Sequence, residues 1–244
     1  MSPTLQTALV SGAGSGIGRE ISRTLADMGL RVGLLGRDPA KLEETRTGLP
    51  RMRESAVVLP CDVADRGAVR AAVSRLHEAF GSIDVLICNA GTNVRNRSLE
   101  LLAPEDWDRM IQVNLTGAFN LVHYVLPIMR ERRNGLIVQI CSIAGLRAST
   151  LGGVGYSASK FGQAALGIGL GREEGKSNIR STVIYPGEVN TPILDARPVP
   201  VPAERRAAIL QPEDLAAAVR FLVQLHPRAR VPELVMTPTG DDFC

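Results

Sequence analysis

Thr7-Ala8-Leu9-Val10-Ser11-Gly12-Ala13-Gly14-Ser15-Gly16-Ile17-Gly18 is the stretch on which the reading of this chain turns. Thr7 to Val10 has the composition of a buried strand. A glycine-rich turn follows at once and opens into the amphipathic pattern of Ile17 to Met28. Strand, tight turn and helix start, in that order, bring backbone N–H groups and the positive end of a helix dipole to one point, where a pyrophosphate can sit without meeting a Cβ. Gly12, Ser15, Gly16, Ile17 and Gly18 are therefore the candidates for holding a phosphate-bearing cofactor. The spacing Gly12-x-x-x-Gly16-x-Gly18 is not Gly-x-Gly-x-x-Gly, and a sharp strand-to-helix turn without a ligand would use the same residues.

Outward from this stretch, Val/Ile/Leu-rich runs recur near residues 7 to 10, 31 to 35, 56 to 59, 83 to 87, 136 to 140, 179 to 184 and 233 to 236. Helix-like stretches separate them: Ile17 to Met28, Pro39 to Thr47, Arg66 to Phe80, Pro104 to Arg132, Tyr156 to Glu174 and Pro212 to Leu225. This alternation predicts an α/β protein with a doubly wound parallel sheet of about seven strands and helices on both faces. No boundary divides residues 1–244, so a single domain is expected. The long irregular connection from Pro186 to Gln211, stiffened by Pro198-Val199-Pro200-Val201-Pro202, reads as a substrate loop or lid, with a plain surface connection as the alternative.

The chain has 244 residues, 45% of them hydrophobic, enough for a full core. Its 28 basic and 25 acidic side chains are interspersed, without the basic block that nucleic-acid binding calls for. No run of 18 apolar residues suggests a membrane span. Met1 to Gln6 carry neither a basic segment nor an apolar export core. Cys61, Cys88, Cys141 and Cys244 lack any Cys-x-x-Cys or Cys/His grouping, which argues against a zinc site or a disulfide framework. A cytoplasmic protein with reduced thiols is expected, Cys61, Cys88 and Cys141 serving as small buried hydrophobes at strand ends.

Two further features carry chemistry. Dinucleotide-binding folds test the adenosine ribose at the end of the second strand. There this chain reads Leu34-Leu35-Gly36-Arg37-Asp38, with a glycine where an acid selects NAD and Arg37 placed for a 2′-phosphate. NADP(H) is favoured over NAD(H), although a one-residue shift would offer Asp38 instead. Tyr156 and Lys160, four apart at the opening of a helix, share a face. A phenol, with a pKa of about 10, works as an acid or base near neutrality only if a cation stabilises its ionised form. Lys160 and a positive cofactor ring are the expected cations.

With Cys88-Asn89-Ala90-Gly91 after the fourth strand and Tyr156-x-x-x-Lys160 beyond the fifth, the chain resembles the short-chain dehydrogenase/reductase family in its compact, single-domain Rossmann form. Ser11 to Gly18 is similar to the family's glycine loop, with serine leading instead of threonine. Asp62 and Val63 resemble its adenine-binding pair, and Asn89, Ala90 and Gly91 its Asn-Asn-Ala-Gly motif with Cys88 in the first place. Pro186, Gly187, Val189 and Thr191 resemble its nicotinamide-contacting segment. The resemblance implies a catalytic tetrad of Asn114, Ser142, Tyr156 and Lys160. It also implies that Tyr156 exchanges a proton with the reacting oxygen, Ser142 bonds that oxygen, Lys160 holds the nicotinamide ribose, and Asn114 positions a water. It further implies a homodimer or homotetramer built through helices 104–132 and 156–174; Gly162, Gly167, Gly169 and Gly171 fit close backbone packing, within the fold or across an interface.

The expected activity is interconversion of a small-molecule carbonyl and a secondary alcohol. The tail from Val231 to Thr239 resembles that of NADP-dependent 3-hydroxy acid dehydrogenases, which points to a 3-oxo/3-hydroxy acid or acyl substrate. Arg147 to Gly153 and Thr191 to Gln211 are expected to set specificity, and Arg95, Arg97, Arg147 and Arg197 are candidates for an anionic substrate. A catalytically silent NADP-binding regulator and an extended-type epimerase or dehydratase are the alternatives; the latter calls for a longer substrate domain and a different glycine loop.

Overall fold

Strands covered on both faces need apolar side chains on both, and the computed structural model, which describes residues 5–49 and 55–241, forms a strand from each of the seven apolar runs. These are β1 Thr7–Ser11, β2 Arg31–Gly36, β3 Ala56–Pro60, β4 Val85–Cys88, β5 Gly135–Ile140, β6 Ile179–Pro186 and β7 Glu233–Met236. Every pairing is parallel and the order is β3-β2-β1-β4-β5-β6-β7. The chain winds outward from β1 to β3, then returns beside β1 and winds the other way. This reversal between β1 and β4 opens a crevice at the carboxyl ends of the strands.

Successive side chains on β1 serve opposite cores. Ala8 and Val10 pack with Ile21 and Leu25 of α1 (Gly16–Asp27) and with Leu215, Val219 and Leu222 of α8 (Pro212–Gln224). Leu9 joins Val69, Val73 and Leu76 of α3 (Arg66–Phe80) and Leu121 and Val125 of α5 (Gly117–Arg132). Each buried leucine or valine contributes about 1.5–3 kcal/mol, so the two cores fix the register that places the strand ends. Helix α2 (Pro39–Thr47) starts where its sequence dictates: Pro39 occupies the first turn, and Asp38 Oδ1 accepts from the N–H groups of Ala40 at 3.0 Å and Lys41 at 3.3 Å.

Two expectations are corrected. The single helix expected over Pro104 to Arg132 is α4 (Pro104–Ile111), a π-helical turn (Gln112–Thr116) and α5. Pro127 lies inside α5 without ending it. The break falls instead where the buried Asn114 side chain is tied to Thr92 and Ser159, and where Gly117 meets Val63 so closely that a Cβ would lie 2.5 Å from its Cγ2. The connection after β6 is not irregular throughout. It holds a 3-10 turn (Pro192–Ala196) and the short α7 (Ala203–Ala208), and Asn190 N–H and Leu210 N–H, bonded to Leu210 O and Glu188 O, close its base.

Helix α6 (Val154–Glu173) starts two residues earlier than the sequence pattern suggests. A Cβ on Gly162 would meet Leu115 at 2.6 Å and one on Gly167 would meet Val183 at 2.5 Å, so these glycines answer packing within the chain; Gly169 has open space.

Candidate active site

A cavity of about 980 Å³ fills the crevice, and the loops leaving β1 to β6 each send expected site residues to its wall. After β1 come Gly12, Ser15, Gly16 and Ile17, after β2 Arg37, and after β3 Asp62 and Val63. Asn89, Ala90 and Gly91 follow β4, Ser142 follows β5, and Gly187, Val189 and Thr191 follow Pro186 at the end of β6. Tyr156 enters from α6. Gly18, Asn114 and Lys160 stand behind the wall, buried.

The glycine loop is held by backbone proximity. Gly12 has φ +67°, and a Cβ there would sit 2.8 Å from Asn89 Nδ2, while one on Gly18 would collide with the Gly12 carbonyl. Ser11 knots this loop to the β4 end: its hydroxyl donates to Ile87 O at 3.1 Å and accepts from Asn89 N–H at 2.9 Å and Ala90 N–H at 3.0 Å. At the start of α1, Ser15 makes no side-chain cap and no acid occupies the first turn. The positive helix end is left uncompensated toward the cavity, a cradle that fits a cofactor's pyrophosphate. Beyond the end of β2, Arg37 is exposed on the rim without an ion pair among the described residues, and Lys41 shares the wall. Asp62 accepts from Ala64 N–H at 3.0 Å and from Arg109 at 2.7 Å. Burial raises its carboxyl, but those two donors together with the charges of Arg109 and Arg37 outweigh that effect and hold it below the usual carboxylate range.

At the other end of the cavity, Lys160 Nζ lies 5.7 Å from the centre of the Tyr156 ring. It donates to Ile140 O at 3.0 Å and to Gln163 Oε1 at 2.7 Å. Burial holds its pKa below the ordinary lysine value, opposed by the thiols of Cys141 and Cys88. The Tyr156 phenol is pushed up to about 12, mainly by burial, with the Cys141 thiol adding to the rise; the Ser142 hydroxyl and the charge of Arg97 pull the other way. The Lys160 ammonium is turned toward a carbonyl and an amide, and burial disfavours the phenolate, so the protein's own groups do not produce the depression expected from the Tyr–Lys spacing. Ser142 Oγ accepts from Ala144 N–H at 3.1 Å. Asn114 is fully committed: Oδ1 accepts from Thr92 N–H at 2.8 Å, and Nδ2 donates to Thr92 O at 3.0 Å and Ser159 Oγ at 2.9 Å. Its side chain clamps the Thr92 segment to α6 and does not reach the cavity.

The structure sorts the four arginines. Arg97 and Arg197 line the cavity, whereas Arg95 and Arg147 are exposed and away from it. Gln163 and Arg109 were not foreseen. Gln163, one helical turn past Lys160, was within reach of a spacing argument; the Arg109–Asp62 pair, 47 positions apart, was not. Cys61, Cys88 and Cys141 are buried free thiols, as expected, and burial pushes Cys61 to about 11 and Cys88 to about 12. Cys244 and Met1 to Thr4 lie outside the described residues. Among the described residues no His/Cys/Asp/Glu group could hold a metal ion, and no helix is long and apolar enough to cross a membrane.

Comparison with known proteins agrees with this fold. The sequence pattern of the short chain dehydrogenase family matches residues 6–199. An uncharacterised oxidoreductase of Staphylococcus aureus strain MW2 is 33% identical over 235 residues, covering 96% of this chain and 98% of the relative. The closed form of serine dehydrogenase complexed with NADP+ superposes with a TM-score of 0.89 at 28% identity, covering 98% of this chain and 97% of that one. The 3-ketoacyl-(acyl-carrier-protein) reductase of Brucella melitensis complexed with NADH gives 0.85 at 26% identity, with 97% and 98% covered.

Proposed function

This chain belongs to the short chain dehydrogenase family, and from that premise we propose that it is an NADP(H)-dependent oxidoreductase interconverting a carbonyl and a secondary alcohol. The observation that carries the reading is that Tyr156 and Ser142 line the same cavity whose far end is the glycine cradle. Gly12, Ser15, Gly16 and Ile17 hold the pyrophosphate, with Gly18 supporting the loop from behind. Asp62 and Val63 flank the adenine, Asn89, Ala90 and Gly91 form the floor, and Pro186, Gly187, Val189 and Thr191 border the nicotinamide. The bound cofactor supplies or accepts the hydride.

The remaining steps belong to the protein. In reduction Tyr156 gives its proton to the developing alkoxide while Ser142 bonds the same oxygen. A phenol pushed up to about 12 is fully protonated at neutral pH, the form that reduction uses. In oxidation Tyr156 must take the proton, and the cation that favours this is the Lys160 ammonium behind it. Asn114 positions the Thr92 segment and α6 around the pair.

Preference for NADP(H) is supported by Arg37, exposed on the rim, with Lys41 beside it, and by Asp38, one of whose carboxylate oxygens is engaged in capping α2. A 3-oxo/3-hydroxy acid substrate is supported by the likeness to serine dehydrogenase, serine being a 3-hydroxy acid. We read residues 1–244 as one cytoplasmic catalytic domain. It pairs as a homodimer or homotetramer through α5 and α6, where Phe119 and Phe161 keep 43% and 44% of their surface exposed. Purified protein offered NADPH with ketones, aldehydes, β-keto esters and 3-oxo acids is expected to consume cofactor with at least one class. Tight NADPH binding with no consumption anywhere would instead indicate a silent cofactor-binding regulator.

A further inference from the structure

The cavity continues past Tyr156 into a smaller one of about 420 Å³ beneath Pro198–Pro202, and Arg97, Leu151, Glu188 and Arg197 line both. Arg97 stands at this junction with only 7% of its surface exposed. All its protein contacts are neutral carbonyls: Nε donates to Val94 O at 2.8 Å, and the terminal nitrogens donate to Leu151 O at 3.0 Å and Ala196 O at 2.6 Å. A guanidinium carries five N–H donors, so this leaves two. The neighbouring arginines are answered. Arg197 and Arg205 both pair with Glu188, and Arg205 also meets Asp241 at 2.7 Å. Arg97 has no carboxylate in salt-bridge range among the described residues.

A buried cation without a counter-anion is costly, and here it borders the space beside the reacting phenol. Its charge reaches Tyr156, which it helps to hold down against burial. We propose that Arg97 is the recognition site for a substrate carboxylate, so that the enzyme acts on oxo and hydroxy acids and discriminates against their neutral counterparts. This deepens the redox reading of the site and rests on it. Carbonyls at positions 94, 151 and 196 fix the guanidinium plane, and the two remaining donors meet a carboxylate in the planar geometry that arginine favours. The anion supplies the negative charge that the protein withholds. The rival role for Arg97 is a structural tie between three loop segments.

Acetoacetate and methyl acetoacetate present the same ketone with and without the charge. With NADPH at fixed ionic strength, the wild type is expected to favour the acid in kcat/KM by about 10- to 100-fold, the range of a charge-assisted contact. Arg97→Gln should abolish that preference, chiefly through KM for the acid, with the acid losing far more than the ester. Arg97→Lys, which keeps the charge but not the planar fork, should recover part of it. Equal loss of both substrates in Arg97→Gln, or a wild type that uses ester and acid alike, overturns the proposal.

If Arg97→Gln does not fold, the wild-type ratio and calorimetric binding of acetoacetate to the NADP+-loaded protein decide: neither preference nor binding overturns it. The two readings fail separately. Arg97-dependent acetoacetate binding without turnover of any carbonyl upholds the carboxylate site and refutes the redox reading; turnover of the ester with no binding of the acid does the reverse.

Discussion

Lys160 is the residue whose surroundings most constrain the chemistry. Its ammonium is buried, and one of its two oxygen acceptors is Gln163, which is itself held by Cys88 O at 3.3 Å and Gln139 Oε1 at 3.1 Å. A buried cation deprived of an acceptor incurs the desolvation cost of that donor, about 1–3 kcal/mol. Gln163→Leu should therefore destabilise the fold by that amount in urea unfolding, and should also lower kcat, because Lys160 loses the amide that orients it. Unchanged stability together with unchanged kcat would show that the amide is not an anchor. Tyr156 yields a titration prediction. Difference spectra between wild type and Tyr156→Phe should place this phenol's ionisation well above that of free tyrosine in the cofactor-free protein, and lower once NADP+ is bound. A phenolate already formed near pH 9 without cofactor would contradict the burial argument.

At the scale of elements, the junction of β2 and α2 decides between cofactors. Asp38 caps α2 and Arg37 stands on the cavity rim, so Arg37→Ala should weaken NADPH binding by about 10- to 100-fold and leave NADH nearly untouched. Equal weakening of both would move the 2′-phosphate contact elsewhere. Pro39 starts the helix, and Asp38, the residue before it, is drawn to the exposed N–H groups through Oδ1, a local rule that the sequence carries. Other elements divide along the same line. The seven strands were legible because each is a short Val/Ile/Leu-rich run; β1, β2, β4, β5 and β6 are buried on both faces, whereas the edge strand β7 is half-exposed and β3 is only partly buried. The glycine loop was legible because a tight turn leaves few choices of residue. The π-helical turn was not, since Asn114 and Gly117 take their effect from Thr92, Ser159 and Val63, distant in sequence. Nor were the short helices of the connection after β6, whose closure depends on hydrogen bonds between residues 188–190 and 210.

The molecule as a whole buries several groups whose neutral form it protects. Cys61, Cys88, Cys141, Tyr156 and Tyr185 all have raised pKa values, chiefly through burial. Above about pH 8.5 for thiols and about 10 for phenols, the unfolded chain releases protons that the folded chain keeps. The folded state then binds more protons, so stability falls as pH rises. Lys160, Arg97 and Arg180, lowered by burial, act in the opposite sense, the two arginines only toward the top of the range. The urea midpoint should hold up to about pH 8 and drop progressively toward pH 11; a flat profile across that interval would mean these groups ionise freely in the fold.

The central claim is that one phenol moves the proton. Tyr156→Phe keeps the ring and its packing and removes only the hydroxyl. With NADPH and the best carbonyl substrate, kcat is predicted to fall by about 10²- to 10⁴-fold while NADPH affinity is retained. Undiminished turnover by Tyr156→Phe would contradict the assignment and require another proton donor in the cavity.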